Sequence, residues 1–167
     1  MKIEMVREIC MKIAADHGFK LDVPISENGR LTTTLGRVMY TRIDDDSIEI
    51  LAIEFSKQFL LYGEEDSIMD VILHELAHAF VFIETGMQHG HDGTFRAMCR
   101  RIGCRRPSAE DGVEYKVPES ALNKYTIRCS CCGKVIGYRQ RACSVTKEPH
   151  KYHSSCCKAD LIVTQNF

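Results

Sequence analysis

Residues 73–79 read LHELAHA, inside a stretch from Ile68 to Ile83 in which nearly every position is apolar. A helix this apolar on all sides is a buried one. His74 and His78 lie four apart, with Glu75 directly after the first. On an α-helix, positions four apart differ by about 40° in direction and ~6 Å in height, so both imidazoles leave the same side and can bind one ion. Glu75 points about 100° away around the axis, beside that ion rather than on it. There it can accept a proton from a metal-bound water, whose pKa zinc lowers from about 16 to about 7. The bland alternative is a core helix with satisfied polar groups. Burying two histidines and a glutamate there costs several kcal/mol unless each finds a partner, and a shared metal is such a partner. The motif thus offers two ligands and a general base.

Working outward, Ser67 is the expected N-cap of this helix, with Asp70 three residues on and Glu64, Glu65 and Asp66 at the positive helix end. Gly86 is the expected stop. A second helix is expected from about Thr94, with Phe95, Met98, Cys99 and Ile102 on one face and Gly103 closing it. A catalytic zinc site takes three protein ligands and a water, so a third ligand is sought beyond the first helix. The segment HGHDGTF, 89–95, offers His89 and His91. A histidine six residues past His78 is excluded, because position 84 is Glu84; that side chain rises ~9 Å away from the pair and reads as a solvated or hydrogen-bonded end. Asp92 is not expected to be a ligand.

Upstream, Ile3, Val6, Ile9, Cys10 and Ile13 keep helical spacing up to Gly18. Residues 19–23 read as a short strand, ISENGR as a turn, 31–43 as a strand broken at Gly36, DDDS as a turn, and 48–55 as a half-buried strand. The whole chain has 167 residues, 44% of them hydrophobic and 27% charged. That suits one domain plus a small module. No stretch is long and apolar enough to span a bilayer, and residues 1–15 lack the apolar core of a secretion signal, so neither membrane insertion nor secretion is expected. Nine cysteines, an odd number, six of them after residue 128, point to metal ligation in a reducing compartment. The net charge of −1 hides a split: residues 1–95 hold 8 Lys/Arg against 17 Asp/Glu, and residues 96–167 hold 14 against 6. A basic half can serve a polyanion, and two solvated faces explain the split equally well. Arg96, Arg100, Arg101, Arg105 and Arg106 gather around the second helix, with Arg96 and Arg100 on one face.

HELAHAF, then HGHDGTF, then CSCCG after a tyrosine, in that order, resembles the SprT-like (Spartan) metalloprotease family, over most of residues 30–161. IEILAIEFSKQFLL is similar to that family's strand and serine-containing turn ahead of the motif helix. The resemblance implies that His91, with Phe95 four residues on, is the third ligand, and that His89 is not. It implies a C-terminal zinc ribbon. Cys129 and Cys132, followed by Gly133, form its first half-site. The family's second half-site is departed from: counting back from Leu161 gives Cys157 as last ligand and places Ser154, a poor zinc ligand, as first. His153 can substitute, paired with Cys157 or Cys156, and Cys143 and His150 are the remaining candidates.

The expectation is therefore an α+β chain: a zincin-like helical metalloprotease core with a small antiparallel β-sheet over residues 1–110, a connector over 111–125, and a zinc-ribbon-like module over 126–167. The expected activity is zinc-dependent endopeptidase cleavage. Glu75 is its general base, His74, His78 and His91 hold a catalytic zinc, and Cys129, Cys132, His153 and Cys157 hold a structural one. The resemblance further implies protein substrates bound or crosslinked to DNA, the five arginines forming the nucleic-acid contact, in the cytoplasm, nucleus or nucleoid. The rival reading is a nucleic-acid-binding regulatory protein whose HELAH site is structural or inactive.

Overall fold

The computed structural model describes residues 1–43, 47–105 and 115–167; the aspartate turn, Arg106 and the first four residues of the connector lie outside them. The chain divides into two compact units, Met1–Lys116 and Val117–Phe167, with the boundary inside the stretch read as a connector. It is mixed α/β with two small sheets. No helix among the described residues is long and apolar enough to cross a membrane.

In the first unit the order is α1 (Ile3–Asp16), β1 (Ile25–Asn28), β2 (Gly36–Arg42), β3 (Ile48–Ser56), α2 (Lys57–Tyr62), α3 (Glu65–Thr85) and α4 (Gly93–Ile102). The sheet order is β1-β3-β2, so β2 is an edge strand. The strands are mixed rather than all antiparallel as expected: β2 runs antiparallel to β3, but β1 runs parallel to it. The pairing register explains why. Ile25 lies opposite Ile53, and both are buried, so β1 adds to the free side of the central strand in the direction that keeps its one apolar residue on the core.

Two other expectations shift here. Residues 19–23 form no strand. Phe19 instead stacks on Phe80, with ring centroids 4.0 Å apart, and Leu21 is buried, so their alternation reflects core packing of a linker. Strand β3 holds the second. Its inward positions are Ile48 and Ile50, then Ile53 and Phe55, one residue out of phase. Met39 pairs with Ala52 and Tyr40 with Ile50, leaving Leu51 as an extra, exposed residue. A β-bulge of this kind resets the alternation, which is why the strand alternates only in part.

Helix α3 is the centre of the core. Ile72, Leu76, Ala77, Ala79 and Phe80 are fully buried, and α1, the sheet and α4 supply the surrounding apolar residues. It starts two residues before Ser67, with Glu64 as N-cap and no side-chain cap bond. Glu65 and Asp66 in the first turn favour the positive helix end instead. Ser56 does the capping one element earlier: its Oγ accepts from Phe59 N and donates to the Leu31 carbonyl at 2.7 Å. Gly86, with φ of 69°, ends α3 in the left-handed region that favours glycine.

The second unit contains α5 (Glu119–Leu122), β4 (Tyr125–Cys129), β5 (Val135–Arg139), α6 (Ser144–Lys147), a 3₁₀ turn (Pro149–Lys151) and β6 (Leu161–Gln165). Its sheet, β5-β4-β6, is antiparallel throughout. Among its apolar residues only Ile127 and Cys129 are fully buried. A module of this size with so small a core needs another source of stability.

The packing predicts a contrast. Leu76→Ala, in the core, should lower unfolding free energy by about 2–5 kcal/mol, while Leu51→Ala, at the exposed bulge, should stay within about 0.5–1 kcal/mol. Urea unfolding of the two variants checks this.

Candidate metal centres

In the first unit, α3 carries His74 and His78 and the loop between α3 and α4 brings back His91. The three histidines form a group whose ligand atoms all lie within 4.8 Å of one another. Nε2 of His91 is 3.0 Å from Nε2 of His74 and 3.3 Å from Nε2 of His78. A tetrahedral ion with metal–nitrogen bonds of about 2.0–2.1 Å requires its ligand nitrogens roughly 3.3 Å apart. The donor set therefore fits a metal ion.

Protonation and packing agree with that fit. The His78 ring also donates to the His89 carbonyl, which leaves Nε2 as its unprotonated nitrogen. Burial, then the neighbouring His74 and His91, push His78 down to about 4. His91 is also lowered, chiefly by burial. Both rings are thus neutral near neutrality and present lone pairs. Beneath them Phe95, fully buried, stacks on His78 at 4.2 Å and lies 5.0 Å from His74 and 4.9 Å from His91.

The loop is held by Asp92. Its Oδ1 accepts from the N–H groups of Thr94 and Phe95, at 2.9 and 3.0 Å, as the N-cap of α4. Its Oδ2 pairs with His89 Nδ1 at 2.7 Å. His89 is outside the three-histidine group. It works through its carbonyl on His78 and its ring on Asp92, outer contacts of the sort that fix the tautomer of a metal-binding imidazole.

Glu75 lies against strand β2. The Val38 N–H donates to its carboxylate, and only 7% of the residue is exposed. Burial raises its pKa to about 7, against the opposing pull of His74 and of the Val38 hydrogen bond. Tyr40, two residues further along β2, is pushed up to about 12 by burial and by the Glu75 charge, and its ring packs on Phe82 at 5.1 Å.

In the second unit Cys129, Cys132, Cys156 and Cys157 form a second group with all ligand atoms within 4.8 Å. Cys132 Sγ and Cys156 Sγ are 3.5 Å apart. Cys156 occupies the place expected for His153, which is exposed and faces Asp160 across an isolated β-bridge, with Nδ1 3.4 Å from the carboxylate. Neighbours in an extended segment point to opposite sides, so His153 turns outward because Ser154 turns in. Ser154 is fully buried; its Oγ accepts from Cys129 Sγ at 3.2 Å and from Ala159 N at 3.1 Å. It buttresses a candidate ligand. Once Cys129 ionises, the same hydroxyl can turn and donate to the thiolate, and this is the main cause holding the Cys129 thiol down at about 6. A tight turn through Lys158, at φ of 57°, presents Cys156 and Cys157 together. The adjacent pair of cysteines was the sequence signal for Cys156. Cys143 and His150 are outside the group, and no disulfide joins any of the cysteines.

The arginines divide. Arg101 is engaged within its own unit: Nη1 meets Glu84 Oε1 at 2.5 Å, Nη2 donates to the His17 carbonyl at 3.2 Å, and the guanidinium sits 5.0 Å over the Phe19 ring. Arg96, Arg100 and Arg105 are exposed, and Arg106 lies outside the described residues.

A family model for the SprT-like family matches residues 8–119. The chain is 30% identical over 125 residues to a "Protein SprT-like" of Staphylococcus epidermidis, covering 65% of this chain and 77% of that protein. It is 35% identical over 94 residues to a "Protein SprT-like" of Staphylococcus saprophyticus, covering 53% and 56%. No solved structure matches. The matched segment spans all three histidines and Glu75, and the chain belongs to the SprT-like family.

Proposed function

We propose that this chain is a zinc-dependent endopeptidase with a zincin-like core, acting through His74, His78, His91 and Glu75. The observation that carries the reading is the convergence of three imidazoles, with His91 Nε2 at 3.0 Å from His74 Nε2 and 3.3 Å from His78 Nε2, and a buried carboxyl group on the residue after His74. Zinc held there supplies Lewis acidity toward a water and a peptide carbonyl. The rest falls to the chain's own groups. His74 and His78 fix the ion on a helix that cannot shift without disturbing the core, and His91 closes the set from the loop that Asp92 holds. Glu75 takes a proton from the attacking water and returns it to the leaving amine. Burial raises its pKa, which favours proton uptake by the carboxylate.

The four cysteines are proposed to hold a structural zinc. They leave no open coordination position, and the unit they belong to has little apolar core to stand in for the ion. Cysteine usage of this kind supports work in a reducing compartment.

DNA-bound proteins are the proposed substrates. Support comes from the family resemblance and from Arg96, Arg100 and Arg105, which are exposed; Arg101 is not included, because its guanidinium is engaged inside its unit.

Three outcomes are expected. Glu75→Gln should cut cleavage of a casein or fluorogenic peptide substrate by about 10²–10⁴-fold while zinc content by elemental analysis stays at the wild-type level; cleavage that survives the change removes Glu75 as the base, and a wild-type protein that cleaves nothing points to the regulatory reading instead. Wild-type protein should carry zinc at both sites, with His91→Ala losing only one of the two ions and Cys129→Ser only the other. Arg96→Gln with Arg100→Gln should reduce the slope of log affinity against log salt for single-stranded DNA by roughly 1.4, about 0.7 for each phosphate that is no longer neutralised. An unchanged slope removes these residues from the interface.

A further inference from the structure

We infer that Gly36 is a positioning residue for Glu75: the side chain that position 36 lacks leaves the slot in which the Glu75 carboxyl group lies, so strand β2 decides where that group stands. The inference deepens the peptidase reading by assigning the strand that orients the proposed base, and it rests on that reading only for the word base; the steric relation stands without it.

Gly36 opens β2, the edge strand. Its backbone gives no reason for glycine, since among the described residues the glycines with positive φ are Gly18, Gly86, Gly103 and Gly133. The reason is a neighbour. A Cβ at position 36 would lie 2.7 Å from Glu75 Cγ, 3.0 Å from Oε1 and 3.1 Å from Cδ. Side-chain carbons do not approach other heavy atoms below 3.0 Å, so something must move. The three nearest atoms all belong to Glu75.

Neither backbone is free to give way. Gly36 pairs with Phe55, which is fully buried, and the preceding Leu35 carbonyl accepts from Ser56 N at 2.8 Å. On the other side α3 is fixed by Ile72 and Leu76, both fully buried. The side chain of Glu75 is therefore what has to turn. Two residues along the same strand, the Val38 N–H donates to the carboxylate. Absence of a side chain at 36 admits the carboxyl group, and the amide at 38 holds it.

The test is a double-mutant cycle of Gly36→Ala and Glu75→Ala in the full-length, zinc-loaded protein, read by thermal unfolding. Gly36→Ala should lower Tm by roughly 2–6 °C in the presence of Glu75. In the Glu75→Ala background the same change should leave Tm unchanged or raise it, because alanine replaces a more flexible glycine in a strand. Equal losses in both backgrounds would overturn the inference, since the cost would then come from something other than Glu75. Zinc content should be retained in all four proteins. In peptide cleavage, Gly36→Ala should lower kcat by at least about 10-fold with KM within about twofold; an unchanged kcat would also overturn it. A wild-type protein that cleaves nothing counts against the peptidase reading, and the unfolding cycle then decides on Gly36 by itself.

Discussion

Three ring nitrogens, with that of His91 at 3.0 and 3.3 Å from those of His74 and His78, cannot all be satisfied by one another. A neutral imidazole has one N–H and one lone pair, and His78 directs its N–H to the His89 carbonyl. Placing a proton among the three rings is opposed by burial and by their mutual repulsion, which lower His78 and His91. A shared cation removes the conflict. The surrounding structure accepts this constraint: a buried helix sets two of the rings, Phe95 closes the space beneath all three, and Asp92 fixes the return of the chain that brings the third.

The ties around that loop are polar and local, while the helices on either side are held by apolar burial. Glu84 leaves the last turn of α3 and meets Arg101 in the last turn of α4. Arg101 also reaches the carbonyl of His17 at the end of α1, and lies over Phe19, which itself stacks on Phe80 of α3. One guanidinium thus connects three helices. Planar, with five donors and able to lie on an aromatic face, arginine suits this role better than lysine. The sequence presents Arg101 as one of a row of equivalent basic residues; only its neighbours in space separate it from Arg96 and Arg100.

What was legible in the sequence follows the range of the signal. The HELAH spacing on an apolar run is a property of one helix, so the ligand pair and the direction of Glu75 could be read from 3.6-residue geometry. The glycine stops at Gly86 and Gly103 are local for the same reason, and both have positive φ. Relations across the chain were not legible. That β1 pairs parallel to β3 depends on which side of the central strand was free. The opposite facing of His153 and Ser154 depends on the bridge to Asp160. A family pattern suggested a ligand at Ser154, and the structure keeps that residue inside as a hydrogen-bond acceptor for Cys129. Gly36 read as a break in a strand; its fit to Glu75 requires knowing that the strand edge and the helix meet.

The two candidate centres differ in the charge they would leave on an ion, and this divides their roles. Three neutral imidazoles would leave a divalent cation its full charge and a coordination position open to water or substrate. The first unit places a single buried carboxyl group on the residue between the ligands, and the Val38 amide keeps it against the strand. Four thiolates would reverse the sign of the site and close it, so that little Lewis acidity remained for chemistry. Donation by the Ser154 hydroxyl to the thiolate favours ionisation of the first of them, Cys129, at about 6, and the thiolate is the form that would ligate a metal. The first unit has a core of its own, so its fold does not depend on an ion at the three histidines. In the second unit Ile127 and Cys129 are the only buried apolar residues, and the stability an ion would add there is folding free energy.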